Sequence, residues 1–123
     1  MRKVSRNAVQ DFWQCKPARH SNTWIVQEGD WTVMLLHGNA IARRRGLRLE
    51  VSSAGWTTST TRERLNGVLS EVNAHAWIKD GVLYAAGPGL DCEGPVELDR
   101  TWTAVKFGTP AEQLVYATRK TEP

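Results

Sequence analysis

Arg43, Arg45 and Arg48 are the residues whose type and spacing point most directly to a chemistry, with Arg44 among them. A guanidinium carries five donors in a planar fork, which suits phosphate and nucleic acid. Counting from the flanking turns puts Arg43 and Arg48 opposite one another on one sheet face. Like charges so placed destabilise a strand pair, so Glu50, solvent or an anionic ligand such as phosphate must compensate. The alternative is a solvated edge strand, charged to prevent edge-to-edge association. Arg62 and Arg64 open a helix, and a helix N-terminus attracts anions, although Glu63 and the neighbouring threonines already cap it. Trp77 alternates with His75 and Lys79, so it can point away from the core and serve an interface or stack on a base. The alternative is packing under a loop.

Catalysis finds little footing. His37 flanks a turn with no acid or nucleophile nearby, and Ser52-Ser53 lacks the setting of a nucleophile elbow. His20, His37, His75, Cys15 and Cys92 show no metal-ligand spacing. Gly87-Pro88-Gly89 imitates a phosphate loop, but proline and acids follow it where a helix should start, so it reads as a turn. Asp91, Glu93, Glu97 and Asp99 do not follow the calcium-loop pattern and read as a solvated acidic loop. The expectation is therefore no catalytic residue, no metal and no cofactor.

The elements that must position these residues follow from turns and periodicity. Residues 4–15 carry Val4, Ala8, Phe12 and Cys15 at helical spacing, and Lys16-Pro17 ends that helix. Strands near 23–28, 31–37, 40–45 and 47–52 are separated by Gly29-Asp30, Gly38-Asn39 and Arg45-Gly46, and a hairpin pairs 75–79 with 82–86 across Asp80-Gly81. With those turns, Trp24, Val26, Val33, Leu35, Ala42, Leu47, Leu49 and Val51 share one apolar face, with Arg44 as its exception. Ile25, Met34, Leu36 and Ile41, then Arg43, Arg48 and Glu50, occupy the other. Thr60 and Glu63 form a capping box for a helix at 60–73, whose Leu65, Val68, Leu69 and Val72 make a buried stripe. Trp56 fills the gap between that helix and the sheet. A strand at 101–107 and a helix opened by Thr109-Pro110 follow. The fold expected is one α+β domain over 1–123. An antiparallel meander (23–52) packs on the 60–73 helix, a hairpin (75–86) extends it, and terminal helices cover the patch around Ile25, Met34, Leu36 and Ile41.

Composition agrees with a globular domain. The 123 residues are 41% hydrophobic and 24% charged, neither disordered nor in need of disulfide staples. Residues 1–64 hold eleven Lys and Arg against five Asp and Glu, whereas 65–123 hold five against eight. The net +3 therefore hides a basic half and an acidic half that can face different partners. No stretch is long and apolar enough to span a bilayer, and no apolar run follows Arg2, Lys3 and Arg6. The cytoplasm of a host cell is the expected compartment.

Several motifs recur together elsewhere. Asn22-Thr23, then Leu35-Leu36-His37-Gly38-Asn39-Ala40-Ile41-Ala42, then Ala54-Gly55-Trp56 and Thr60-Thr61-Arg62-Glu63-Arg64-Leu65-Asn66, resemble a group of small proteins encoded by bacteriophages and prophages. The resemblance spans 22–69. It implies phage or mobile-element origin and carries over no catalytic residue. The expected function is a non-enzymatic accessory protein that binds nucleic acid or another polyanion through Arg43, Arg45, Arg48 and Arg62. The alternatives are a modulator of a host enzyme or defence complex acting through Trp77 or the acidic half, and a small enzyme.

Overall fold

A computed structural model describes residues 3–90 and 94–107. Its elements are α1 (Lys3–Trp13), β1 (Ala18–His20), β2 (Thr23–Glu28), β3 (Trp31–Leu36), β4 (Asn39–Arg45), β5 (Arg48–Val51), α2 (Ser59–Ser70), β6 (His75–Lys79), β7 (Val82–Ala86), β8 (Val96–Glu97) and β9 (Thr103–Lys106). A six-stranded antiparallel sheet runs in the order β1-β2-β3-β4-β5-β9, and β6-β7-β8 form a second, three-stranded sheet. The expected α+β class and meander are present. The β6–β7 hairpin does not extend the meander, which gains β1 and β9 at its edges instead. The expected helix after Thr109 lies outside the described residues.

Two of the turns fall where the glycine signals put them. Glu28 faces Trp31 across Gly29-Asp30, and Lys79 faces Val82 across Asp80-Gly81. The other two are displaced by a residue. His37 and Gly38, both left-handed at φ 51° and 81°, make the β3–β4 turn, so Leu36 pairs with Asn39. Gly46 takes the first turn position at φ 61°, and Arg45 pairs with Arg48. A bulge in β4 leaves Ile41 without an opposite residue, because Leu35 pairs with Ala40 and Met34 with Ala42.

The bulge overturns the expected single apolar face, since a turn displaced by one residue shifts pairing by two and leaves every side unchanged. Partners directly opposite in a sheet share a side, and sides alternate along a strand. Trp24, Val26, Val33 and Leu35 therefore lie on the outer side with Arg43, whereas Ala42, Leu49 and Val51 lie inside with Ile25, Met34 and Leu36. Leu47 is a turn residue. Both helices pack on the inner side, where Ala8, Val9 and Phe12 of α1 and Leu65, Val68 and Leu69 of α2 join Ile25, Met34, Ala42 and Leu49 in one buried core. The patch around Ile25 and Met34 is thus covered by α1, as expected. Arg44 keeps its expected place on the side of Ala42 and Leu49. Its Nη1 donates to the Trp13 carbonyl at 3.0 Å, a free carbonyl of the α1 C-terminus.

The cap of α2 is Thr58, whose Oγ1 accepts from the Thr61 N–H at 3.2 Å, in place of Thr60. Glu63 is drawn elsewhere. It accepts from Ser5 of α1 and from Arg64 Nη1 at 3.3 Å. Arg64 is 2% exposed. Its Nε donates to Thr23 Oγ1 at 2.9 Å, its Nη2 to Asn22 Oδ1 at 3.3 Å and its Nη1 to Ser5. A buried guanidinium is tolerated only when its donors are satisfied, and here they pin α1, the start of β2 and α2 together. Thus Asn22-Thr23 and Arg64, distant in the chain, are one structural unit.

Candidate nucleic-acid interface

Both described helices pack on the inner face of the large sheet, and Arg43, Arg45 and Arg48 lie on its outer face. Four rows cross it. Trp24 faces Leu35, and Leu35 faces Ala40. Val26, Val33, Arg43, Glu50 and Ala104 form the next row. Trp31 lies at the end of β3 beside Arg45, which faces Arg48, which faces Lys106. Trp102 precedes β9 and reaches in from the side.

The electrostatics differ from row to row. Arg43 is not opposite Arg48; it faces Glu50, and its Nε and Nη2 both lie 2.7 Å from Glu50 Oε1. Glu50 is only 6% exposed. The Arg43 guanidinium also lies 4.4 Å from the ring centres of both Trp31 and Trp102, a double cation–π contact. The like-charge opposition falls one row over, where Arg45, Arg48 and Lys106 occupy facing positions on three adjacent strands. Arg45 stacks on Trp31 at 4.7 Å. Arg48 reaches Glu50 Oε2 at 3.4 Å and stays 59% exposed.

Arg43, Arg45 and Arg48 are therefore brought together on one surface. Arg62 is not among them, because it belongs to α2 on the opposite side of the sheet. Arg64 is consumed by the buried network. Trp77 lies on the small sheet, half-buried, with its ring 5.0 Å from His75 and 5.9 Å from Tyr84 in near-parallel stacks. Trp56 does not fill a gap; it is 55% exposed. The sequence reading missed Trp31, Trp102, Lys106 and Arg19, the last of which lies 4.3 Å over the Trp24 ring. Trp31 and Lys106 follow the alternation of β3 and β9, legible only once the register is known, whereas Arg19 lies in a strand of three residues, too short to show a period.

A family model described as Kyanoviridae Gp96 protein matches residues 1–105. The chain belongs to this phage-encoded family. The match takes in both described helices, both sheets as far as Val105 and the whole stretch 22–69 that carries the phage resemblance. No curated protein and no solved structure matches the chain. Within this Kyanoviridae Gp96 domain, the described residues contain no group of three or more His, Cys, Asp or Glu placed to hold a metal ion. No described helix is long and apolar enough to cross a membrane. Cys15 is a free, exposed thiol. Gly87-Pro88-Gly89 is no phosphate cradle. It lies against β9, with the Lys106 N–H donating to the Gly89 carbonyl at 2.8 Å.

Proposed function

We propose that this phage domain is a non-enzymatic accessory protein of the host-cell cytoplasm that binds single-stranded nucleic acid across the outer face of its large sheet. One observation carries the reading: Arg45, Arg48 and Lys106 stand in facing positions on adjacent strands, with Arg45 directly opposite Arg48. Like charges so placed repel, and an anion lying along the row relieves that repulsion. A phosphate backbone supplies that anion. Trp31 and Trp102 flank the row, and Trp24 lies on the same face, so rings and the guanidinium planes stacked on them line the path that unpaired bases would follow. Arg43 acts here as the pivot that holds Trp31 and Trp102 apart. Arg62 has no part in this surface.

The test is fluorescence anisotropy with labelled single-stranded RNA, single-stranded DNA and duplex DNA over a range of salt. Affinity should fall linearly with salt on logarithmic axes. The double variant Arg45→Ala/Arg48→Ala should bind more weakly with a shallower slope, and Arg62→Ala should match wild type. Absence of salt-sensitive binding to all three polymers ends the proposal.

A second reading has its own support. The stacked His75, Trp77 and Tyr84 side chains form an aromatic ladder on the small sheet, and half-buried aromatic groups of this kind anchor protein interfaces. In this reading the domain modulates a host enzyme or defence complex. Capture from host lysate that is lost in Trp77→Ala and kept in Arg45→Ala/Arg48→Ala would favour it.

A further inference from the structure

The β3–β4 turn and the segment leading into α2 lie side by side, and a cleft of about 310 Å³ opens between them. Its floor is Leu36 and Ile41, both buried. Its rim carries the His37 imidazole, the Asn39 amide and the Thr60 hydroxyl, with Trp56 at one side. Trp56 is the more exposed of the two large exposed hydrophobics among the described residues, the other being Trp24. Its exposure is not the looseness of an unheld loop. The Trp56 N–H donates to the Ser53 carbonyl at 2.9 Å, and the Ala54 and Gly55 N–H groups donate to the hydroxyls of Ser52 and Ser53 at 3.0 Å. Ser52 and Ser53 are themselves buried and bonded to the Asp99 carbonyl at 2.9 Å. A fixed backbone thus holds a bare indole beside an apolar floor.

We propose that this cleft binds the base of a nucleoside. Three features select that class. No carboxylate, lysine or arginine is among the described residues lining it, so nothing there pairs with a charged group. The rim groups can each donate and accept, which matches a ring edge that alternates donors and acceptors; an aliphatic guest would leave them unpaired. The indole and the aliphatic floor ask for a flat ring, and a cleft of this volume, mainly apolar with a few placed polar groups, is of the kind that holds small ligands. A sugar alone would set hydroxyls against Leu36 and Ile41. The site is independent of the arginine row: Asn39 and Arg45 are the two ends of β4.

Two-dimensional NMR of the whole protein titrated with adenosine, guanosine and uridine tests this. At least one nucleoside should move the Trp56 indole N–H and the backbone amides of His37, Asn39 and Thr60 together, saturably. Trp56→Ala should weaken the binding about tenfold, Trp56→Phe should restore most of it, and Arg45→Ala/Arg48→Ala should leave it unchanged. The proposal is overturned if no nucleoside shifts these signals at millimolar concentration. It is equally overturned if the shifts survive Trp56→Ala, or if cyclohexanol reproduces them. Because the probes are uncharged, a failure of salt-sensitive polymer binding would not produce any of these results.

Discussion

Arg45 and Arg48 stand directly opposite each other across the β4–β5 hairpin, two like charges in a position where a sheet ordinarily places complementary ones. Arg48 also faces Lys106, and its one carboxylate contact, with Glu50, is 3.4 Å long. Arg48→Thr should therefore leave the unfolding free energy unchanged or raise it by about 0.2–1 kcal/mol, while weakening binding to single-stranded nucleic acid. Urea denaturation and anisotropy on the same preparation check both halves. A stability loss with unchanged binding would assign Arg48 to the fold alone.

Glu50 has the opposite character. It is buried and holds Arg43 at 2.7 Å. Glu50→Gln keeps its size and removes the charge, so stability should fall by about 1–3 kcal/mol. The cost stays moderate because Arg43 remains stacked between Trp31 and Trp102. Affinity for a polyanion should rise, since the row loses its internal counter-charge. Improved binding in a less stable protein is an outcome that general misfolding would not give.

Arg64 is the position where a basic residue is structural. Arg64→Met would strip donors from Thr23, Asn22 and Ser5 and remove the Arg64 contact of Glu63. A loss of about 3–5 kcal/mol is expected. Arg64→Lys should recover little, since an ammonium cannot reach three partners in fixed directions. Arg62→Ala, two residues earlier, should stay within about 0.5 kcal/mol of wild type. Chemical denaturation of the three variants measures the contrast.

Gly89 is required by proximity. A Cβ there would overlap the carbonyl oxygen of Lys106 and press on Val105. Gly89→Ala should cost about 1–3 kcal/mol and speed amide exchange in β9, where the Lys106 N–H bonds to Gly89. Gly29→Ala, with open space around the added methyl, should show no clash and only the strain of its left-handed backbone.

Asp99 gives the pH dependence. The Thr101 hydroxyl donates to its Oδ1 at 2.6 Å and the Thr101 N–H at 2.8 Å, and these bonds hold the carboxyl below the usual carboxylate range. A folded value below the unfolded one means the contribution is complete above the unfolded value and disappears as pH falls through the folded value. NMR titration of the Asp99 carboxyl should show the depressed midpoint in wild type and a shift toward the ordinary value in Thr101→Val.

The sequence was informative wherever a local signal had one solution. Asp80-Gly81 admits one two-residue turn, and its hairpin appears with the expected ends. The run of Thr57, Thr58, Thr60 and Thr61 offers several caps; Thr58 prevails because Ser5 and Arg64 claim the Glu63 carboxylate that would have completed a box at Thr60. Strands β1 and β8, of three and two residues, are too short to show a period. Gly38 and Gly46 each take a turn position one step from the one their dipeptides suggest, and the second displacement opposes Arg45, in place of Arg43, to Arg48. Arg43, Arg45 and Arg48 still share a side, because Arg43 and Arg45 are two apart on one strand and a turn displaced by one residue shifts the pairing of Arg48 by two. The placement of Trp24 and Leu35 with them did not follow from any local rule.

The bulge at Ile41 has a consequence for how this chain can vary. Were Ile41 to pair regularly with Met34, β4 would meet β3 one step out of phase, turning Arg43 and Arg45 toward the helices and Arg44 toward solvent. Point changes between Asn39 and Ala42 would alter packing by degrees, and loss of the supernumerary residue would straighten the ladder while every later partner stays the same. A further residue with no wider bulge to absorb it would exchange what is wet for what is dry along the rest of the strand, so relatives should tolerate a shortening of this stretch better than a lengthening.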